Sequence, residues 1–347
     1  MKTSRLGGAA IALALTATLA ACSPSDPAPS GSPAQSSPAE STAFPVTIEH
    51  AFGSTTIESQ PERIATVAWA NHEVPLALGI VPVGMAAATW GDDDGDGVLP
   101  WVEEALTELG AETPTLFDET DGIDFEAVAD TTPDLILATY SGITQEEYDT
   151  LSQIAPVVAF PEVAWGTSWQ DQILIGSEAL GLADEGAQLI TDLDAEVAAS
   201  LAKYPELEGK KLLFSYIAPT DLSQVGFYTS HDTRPGFFVD LGFTMPTIVD
   251  EVSATTTEFY TSLSSEEADS FSDVDLFISY GDPTGDFIAQ MQADPLLSTI
   301  PAIAAGSVAL LPDATPLAAA ANPSPLSISW ATDDYFALLA GSLQPAG

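Results

Sequence analysis

From Phe44 onward, short apolar runs bounded by Pro, Gly and Asp alternate with stretches whose apolar residues recur at helical spacing. Runs at residues 64–68, 82–87, 125–129 and 148–154 are followed by segments at 71–78, 100–109, 135–138 and 157–160. This rhythm predicts βαβ units, in which parallel strands are joined through crossover helices. Residues 168–204 then run without a proline, with apolar positions at Ile173, Leu174, Leu180, Leu189, Ile190, Leu193, Val197 and Leu201. Their spacing predicts helix over most of the stretch, with a break near Gly181 to Gly186. Alternation resumes afterwards: strands at 212–217, 276–280 and 308–311, helices around 237–241, after Ser264, at 287–292 and over 325–342. The expected architecture is α/β, two Rossmann-like lobes bridged by one long backbone helix. The N-terminal lobe covers residues 44–165, the bridge 166–208 and the C-terminal lobe 209–347. No short fixed-period repeat suggests a solenoid.

Ahead of this region the pattern changes. Lys2 and Arg5 precede an apolar run at residues 9–21, too short for an ordinary membrane span, which ends on Leu19-Ala20-Ala21-Cys22. That pattern predicts a signal peptide over residues 1–21. The Leu-Ala-Ala-Cys sequence resembles the bacterial lipobox, making Cys22 the expected lipidation site. Residues 22–43 begin with that cysteine and continue almost entirely as Ser, Pro, Ala and Gly, a composition with nothing to bury that reads as a disordered tether. The expected location is the outer face of the cytoplasmic membrane, at the cell surface or in the periplasm.

Charge narrows the function classes. The chain carries 51 acidic and 7 basic residues, a formal net charge of −44. Such a surface repels nucleic acid and anionic headgroups. Cys22 is the only cysteine, so no intramolecular disulfide is available. Nucleophile elbows, P-loops, dinucleotide fingerprints and H-E-x-x-H zinc motifs are all missing, and His50, His72 and His231 are the only histidines. The chain is therefore expected not to be an enzyme, and clustered His ligands for a transition metal are wanting.

Candidate chemistry gathers at strand ends. In parallel sheets ligands lie beyond the carboxyl ends of the strands. There the sequence delivers Trp69, Trp90, Tyr140, Tyr216 and Tyr280, with Trp165 just ahead of the bridge, an expected aromatic ligand wall. Arg234, in His231-Asp232-Thr233-Arg234-Pro235-Gly236, is a cation in an otherwise lysine- and arginine-poor chain, suited to bidentate hydrogen bonds with chelating oxygens. Arg63 precedes the first strand and reads as structural. Residues 92–103 satisfy the calcium-loop pattern D-x-D-x-D-G-x5-E, with Asp92, Asp94, Asp96 and Glu103 as oxygen ligands. A strand rather than an entering helix is expected ahead of that loop, and a solvated acidic loop is the competing reading.

Several motifs together carry a resemblance. They are Pro61-Glu62-Arg63-Ile64, Asn71-His72-Glu73 before Leu76-Ala77-Leu78-Gly79, Val81-Pro82-Val83-Gly84 and Thr132-Pro133-Asp134-Leu135-Ile136-Leu137. Further marks are Leu151-Ser152-Gln153-Ile154-Ala155-Pro156-Val157, Ser168-Trp169-Gln170-Asp171-Gln172, and Asp294-Pro295-Leu296-Leu297 with Ile300-Pro301-Ala302. In order and spacing the chain resembles the iron-siderophore binding lipoproteins of ABC importers, class III solute-binding proteins, from Val46 to Leu339. The resemblance implies a monomer that captures a ferric siderophore in a shallow interlobe cleft and passes it to ABC permease subunits. It also implies that Arg234 meets the ligand and that Glu73 and Glu266, one on each lobe, dock into the permease. Asn71 is expected to cap the helix carrying Glu73, and Ser264 with Glu267 to form a capping box that leaves Glu266 free. Few cations favour a near-neutral hydroxamate or mixed siderophore over an anionic catecholate. Haem or a corrinoid held by the same fold, and a calcium-binding surface adhesin, are the alternative readings.

Overall fold

The computed structural model describes residues 43–343. The predicted signal peptide, Cys22 and almost all of the tether lie outside them. The described chain opens on an antiparallel hairpin, β1 (Val46–His50) and β2 (Gly53–Ile57), which the alternating run did not anticipate. Then come β3 (Ile64–Thr66), α1 (Glu73–Ala77), β4 (Gly84–Ala86), α2 (Pro100–Glu108), β5 (Thr115–Phe117), α3 (Phe125–Asp130), β6 (Leu135–Ala138), α4 (Gln145–Leu151) and β7 (Val157–Ala159). The five strands after the hairpin form a wholly parallel sheet in the order β5-β4-β3-β6-β7. Strands β3, β6 and β7 are buried at every position, as expected of a sheet covered on both faces. The chain winds outward from β3 through β4 to β5, then returns to β6. The topological switch therefore lies between the ends of β3 and β6, where open α/β sheets bind ligands.

Two of the motifs meet at the opposite end of these strands. The Asp134 carboxylate accepts the backbone N–H groups of Glu62 and Arg63, both at 2.9 Å, and the Arg63 guanidinium donates to the carbonyls of Thr131 and Thr132. Arg63 thus has the structural part expected of it.

The bridge is not one helix. α5 (Trp169–Ala179), capped by Ser168, and α6 (Ala183–Leu201) are separated at Leu180–Leu182, where Gly181 takes φ +73°. A Cβ at that residue would strike the Phe44 ring at 2.5 Å. The break is where the paired glycines suggested, and its cause is a left-handed residue that only glycine adopts readily. Ala179 and Leu180 pack with the β1–β2 hairpin in the N-terminal lobe, whereas Leu193 and Val197 belong to the C-terminal core.

The C-terminal lobe comprises β8 (Leu212–Ala218), β9 (Asp221–Tyr228), α7 (Thr233–Asp240), α8 (Thr247–Ser253), β10 (Tyr260–Ser264), β11 (Leu276–Tyr280), α9 (Asp286–Ala293), α10 (Pro301–Ala305), β12 (Val308–Leu311), α11 (Pro316–Ala320) and α12 (Ser327–Ser342). Its sheet order is β10-β9-β8-β11-β12; β8, β11 and β12 run parallel, but β9 and β10 are antiparallel additions missed in the sequence. β9 is polar and exposed at three of its first four residues, so no apolar run announced it. The C-terminal segment then straddles both lobes. Ala318 packs in the C-terminal core, while Ala319 and Ala320 pack with Leu76 and Trp101 of the N-terminal lobe. Among the described residues no helix is long and apolar enough to cross a membrane.

Candidate functional site

The loop after β3 and the loop after β6 are tied together by Asn71. Its amide donates to the carbonyls of Val67 and Tyr140 at 2.7 and 2.9 Å, and its Oδ1 accepts Thr139 Oγ1 and the Tyr140 N–H. Asn71 therefore does not cap α1, whose N-cap is His72 without a side-chain bond; it cross-links the switch point. The loop it closes is strained. Ala68 and Ala70, on either side of Trp69, both have φ +61°, a region costly for residues bearing a Cβ and one that clusters at ligand sites.

Above this switch point a cavity of about 290 Å³ opens between the lobes. From the N-terminal lobe Trp69, Trp90, Tyr140 and Trp165 line it; from the other side come Asp232, Arg234, Phe259, Ala319 and Asn322. The cleft thus gathers four of the six expected aromatics and the expected arginine. Tyr140 and Trp165 meet edge to face, centroids 5.3 Å apart. Trp165 has φ +61° and sits where Gly142 leaves room: a Cβ at residue 142 would lie 2.2 Å from the indole nitrogen. The Tyr140 hydroxyl accepts from Asn322 Nδ2 at 3.0 Å, and Thr233 Oγ1 donates to Asn322 Oδ1, so a single polar knot joins both lobes at the cleft floor.

Arg234 lies in the first turn of α7, whose N-cap Asp232 accepts the Arg234 N–H at 2.9 Å. Its Nη1 pairs with the Asp232 carboxylate at 2.9 Å, its Nε donates to the Tyr280 hydroxyl at 3.0 Å, and its Cζ stands 4.6 Å from the Tyr228 ring centre. Burial pushes the Asp232 carboxyl up and the Arg234 charge opposes that shift. Nη2 has no hydrogen bond among the described residues, on a residue that lines the cavity. The guanidinium is fixed on one edge and available on the other, as a preorganised anion or oxygen donor should be.

The remaining expectations sort differently. Tyr280 is buried and supports Arg234 and, edge to face at 5.4 Å, Trp90, without lining the cavity. Tyr216, 44% exposed, stands apart on β8. Glu73 is wholly buried, so it offers no docking carboxylate; its oxygens accept the Trp101 indole N–H at 2.7 Å and the Leu326 N–H at 2.9 Å. Glu266 is exposed at the start of a 3-10 turn, Ser265–Phe271. The capping box does not form there: Ser264 accepts from the Glu266 N–H, and Glu267 leaves the helical region. Phe259, Asp232, Asn322 and Tyr228 were overlooked in the sequence, although Asp232 announced itself as an N-cap type two residues ahead of Arg234.

In the acidic loop, ligand atoms of Asp92, Asp94 and Asp96 lie within 4.8 Å of one another, and Asp92 accepts the N–H groups of Asp94, Gly95 and Gly97. Burial and repulsion from Asp96 and Asp94 raise the Glu103 carboxyl, which stands close to them at the start of α2.

Comparison with known proteins agrees with this geometry. Residues 64–315 match the family described as periplasmic binding protein. The probable siderophore-binding lipoprotein YfiY of Bacillus subtilis (strain 168) is 33% identical over 203 residues, 58% of this chain and 57% of that protein, so the match spans little more than half of the curated relative. The crystal structure of PiaA from Streptococcus pneumoniae TIGR4 in complex with ferrichrome aligns with 46% identity and a TM-score of 0.81, covering 85% of this chain and 98% of that one. Staphylococcus aureus SirA complexed with staphyloferrin B shares the fold alone, at 21% identity and a TM-score of 0.64 over 85% of this chain and 98% of its own. Two α/β lobes closing on a ring-lined cleft, together with a family match over most of the sequence, lead to one conclusion: this chain belongs to the periplasmic binding protein family.

Proposed function

We propose that this protein captures a ferric hydroxamate or mixed-type siderophore outside the cytoplasmic membrane, to which a lipidated Cys22 anchors it, and delivers it to an ABC import permease. The observation that carries the reading is the pairing of one clamped guanidinium, Arg234, with the indole and phenol rings of the N-terminal lobe and the Phe259 ring of the C-terminal lobe around one cavity. A tris-hydroxamate iron complex is near neutral; rings would pack its apolar periphery and Arg234 would hydrogen-bond its chelating oxygens. A highly anionic tris-catecholate complex would meet one free guanidinium edge beside a buried carboxylate, Asp232, and in a chain this acidic the long-range field opposes it. Likeness to a protein crystallised with ferrichrome supports the same ligand class. The test is quenching of tryptophan fluorescence by a ferric trihydroxamate, a ferric tris-catecholate, haem and cobalamin. The trihydroxamate should quench at the lowest concentration; silence with all four, or a preference for haem or cobalamin, would discard the reading.

Docking on the permease falls to Glu266 on the C-terminal lobe, which is exposed where Glu73 is not. A calcium ion in the acidic loop is a secondary reading, supported by the convergence of Asp92, Asp94 and Asp96 with Glu103 nearby. Calorimetric titration with calcium tests it, and no heat in the wild type would dismiss it.

A further inference from the structure

Behind the aromatic wall the N-terminal lobe contains a second cavity, of about 320 Å³. Trp69 and Trp165 line both this cavity and the interlobe one, so the two spaces adjoin across those rings. Their charge differs. The interlobe cavity has Arg234 balanced by its partner Asp232; the second has Glu119 and Glu147 and no Lys or Arg in its lining. Both carboxylates are held in place. Glu119 accepts the Ala68 N–H at 2.9 and 3.2 Å on its two oxygens, and Glu147 accepts the Thr144 N–H at 2.7 Å and the Thr144 hydroxyl at 2.9 Å. His72 lines the same cavity, only 7% exposed, and its Nδ1 has no hydrogen-bond partner.

A buried imidazole nitrogen left unpaired is destabilising, and a ligand donor would relieve it. Burial keeps that imidazole neutral, with its pKa lowered to about 4. Burial also lifts Glu119 to about 7, reinforced by Glu147, which marks a carboxyl short of a counter-charge. The whole chain, with 51 acidic and 7 basic residues, draws cations toward itself.

We propose that this side pocket receives a protonated amine arm of the iron chelate, with Glu119 and Glu147 as its carboxylate partners and His72 as a further acceptor. The site is then bipolar: Arg234 meets chelating oxygens on one side of the tryptophans, and Glu119 meets an ammonium on the other. The ligand class narrows to hydroxamate chelates bearing a free primary amine. This rests on the siderophore reading above.

The probe is a linear ferric trihydroxamate ending in a primary amine, compared with its N-acetylated form, which differs only in that charge. Wild-type protein should bind the amine form about tenfold or more tightly, the factor corresponding to about 1.4 kcal/mol. Glu119→Gln, which keeps an acceptor for the Ala68 N–H, should bring the two affinities to within about threefold of each other. Equal affinities in the wild type would overturn the pocket's role, as would a preference surviving in Glu119→Gln. Binding of both forms with no preference leaves the siderophore reading standing; binding of neither removes both.

Discussion

The indole nitrogen of Trp101 donates to Glu73 Oε1 at 2.7 Å, joining α2 to α1 inside the N-terminal lobe, while the other Glu73 oxygen takes the Leu326 N–H just before α12. A carboxylate expected at the surface is thus an internal tie between the N-terminal lobe and the C-terminal segment. Glu73→Ala leaves two buried donors unsatisfied and should destabilise the fold by about 2–5 kcal/mol. Urea unfolding checks this; an unchanged midpoint would mean the tie carries no net stability.

Gly142 and Trp165 make a second tight relationship. Gly142→Ala forces the indole away from Tyr140 and so disorders one wall of the cleft, at a modest stability cost of about 1–3 kcal/mol. Ligand affinity should fall about tenfold or more, one lost ring contact plus misplacement of its neighbour. Fluorescence titration alongside urea unfolding separates the two effects.

Arg234 is bound to the stability of its lobe because its partner Asp232 is buried. Arg234→Ala should therefore lose ligand affinity and also cost about 3–5 kcal/mol through a stranded charge. Arg234→Lys restores the charge without the fork that reaches Asp232, Tyr280 and the cavity together. It should recover most of the stability while affinity stays about 10–100-fold down. Equal affinity of Arg234→Lys and wild type would show that a point charge suffices.

Glu119 makes stability depend on pH. Its folded pKa, raised by burial to about 7, exceeds its unfolded value near 4.5, so the folded state binds the extra proton between them. Its stabilising contribution is full below about pH 4.5 and is lost as pH rises through about 7. His72 works in reverse: its lowered pKa makes the fold lose stability as pH falls from 6.5 toward about 4. The difference between wild type and Glu119→Gln isolates the first effect. The variant should gain about 1–3 kcal/mol relative to wild type on going from pH 4 to pH 8. Parallel melting curves across that range would refute it.

Glu266 is exposed at the edge of the C-terminal lobe. Glu266→Ala should leave melting temperature and siderophore affinity unchanged, and should reduce uptake of radioactive iron chelate by cells about tenfold, the loss of one charged docking contact. Normal uptake by this variant would move docking to another surface.

Much of the fold was present in the chain's periodicities. Buried parallel strands such as β6, wholly apolar, and β11, apolar but for Ser279, read as apolar runs because both sheet faces are covered. β9 escaped because an exposed antiparallel strand needs no such run. Among the site residues, Trp69, Trp90, Tyr140, Trp165 and Arg234 were legible because strand ends and an N-cap place them by local rules. Phe259 follows a polar stretch without a local signature, and Asn322 reaches the cleft from a segment 182 positions from its partner Tyr140.

Sequence by itself determined which segments bury both faces, where the bridge must break and which residue types end the strands, because those follow from contacts a few residues apart. Only tertiary structure decided that Glu73 faces inward, that Arg234 is clamped by Tyr280, and that Glu119, Glu147 and His72 share one cavity. Charge and helix position are the same for an acid at the surface and one in the core; solvent exposure is set by what packs on it from distant parts of the chain.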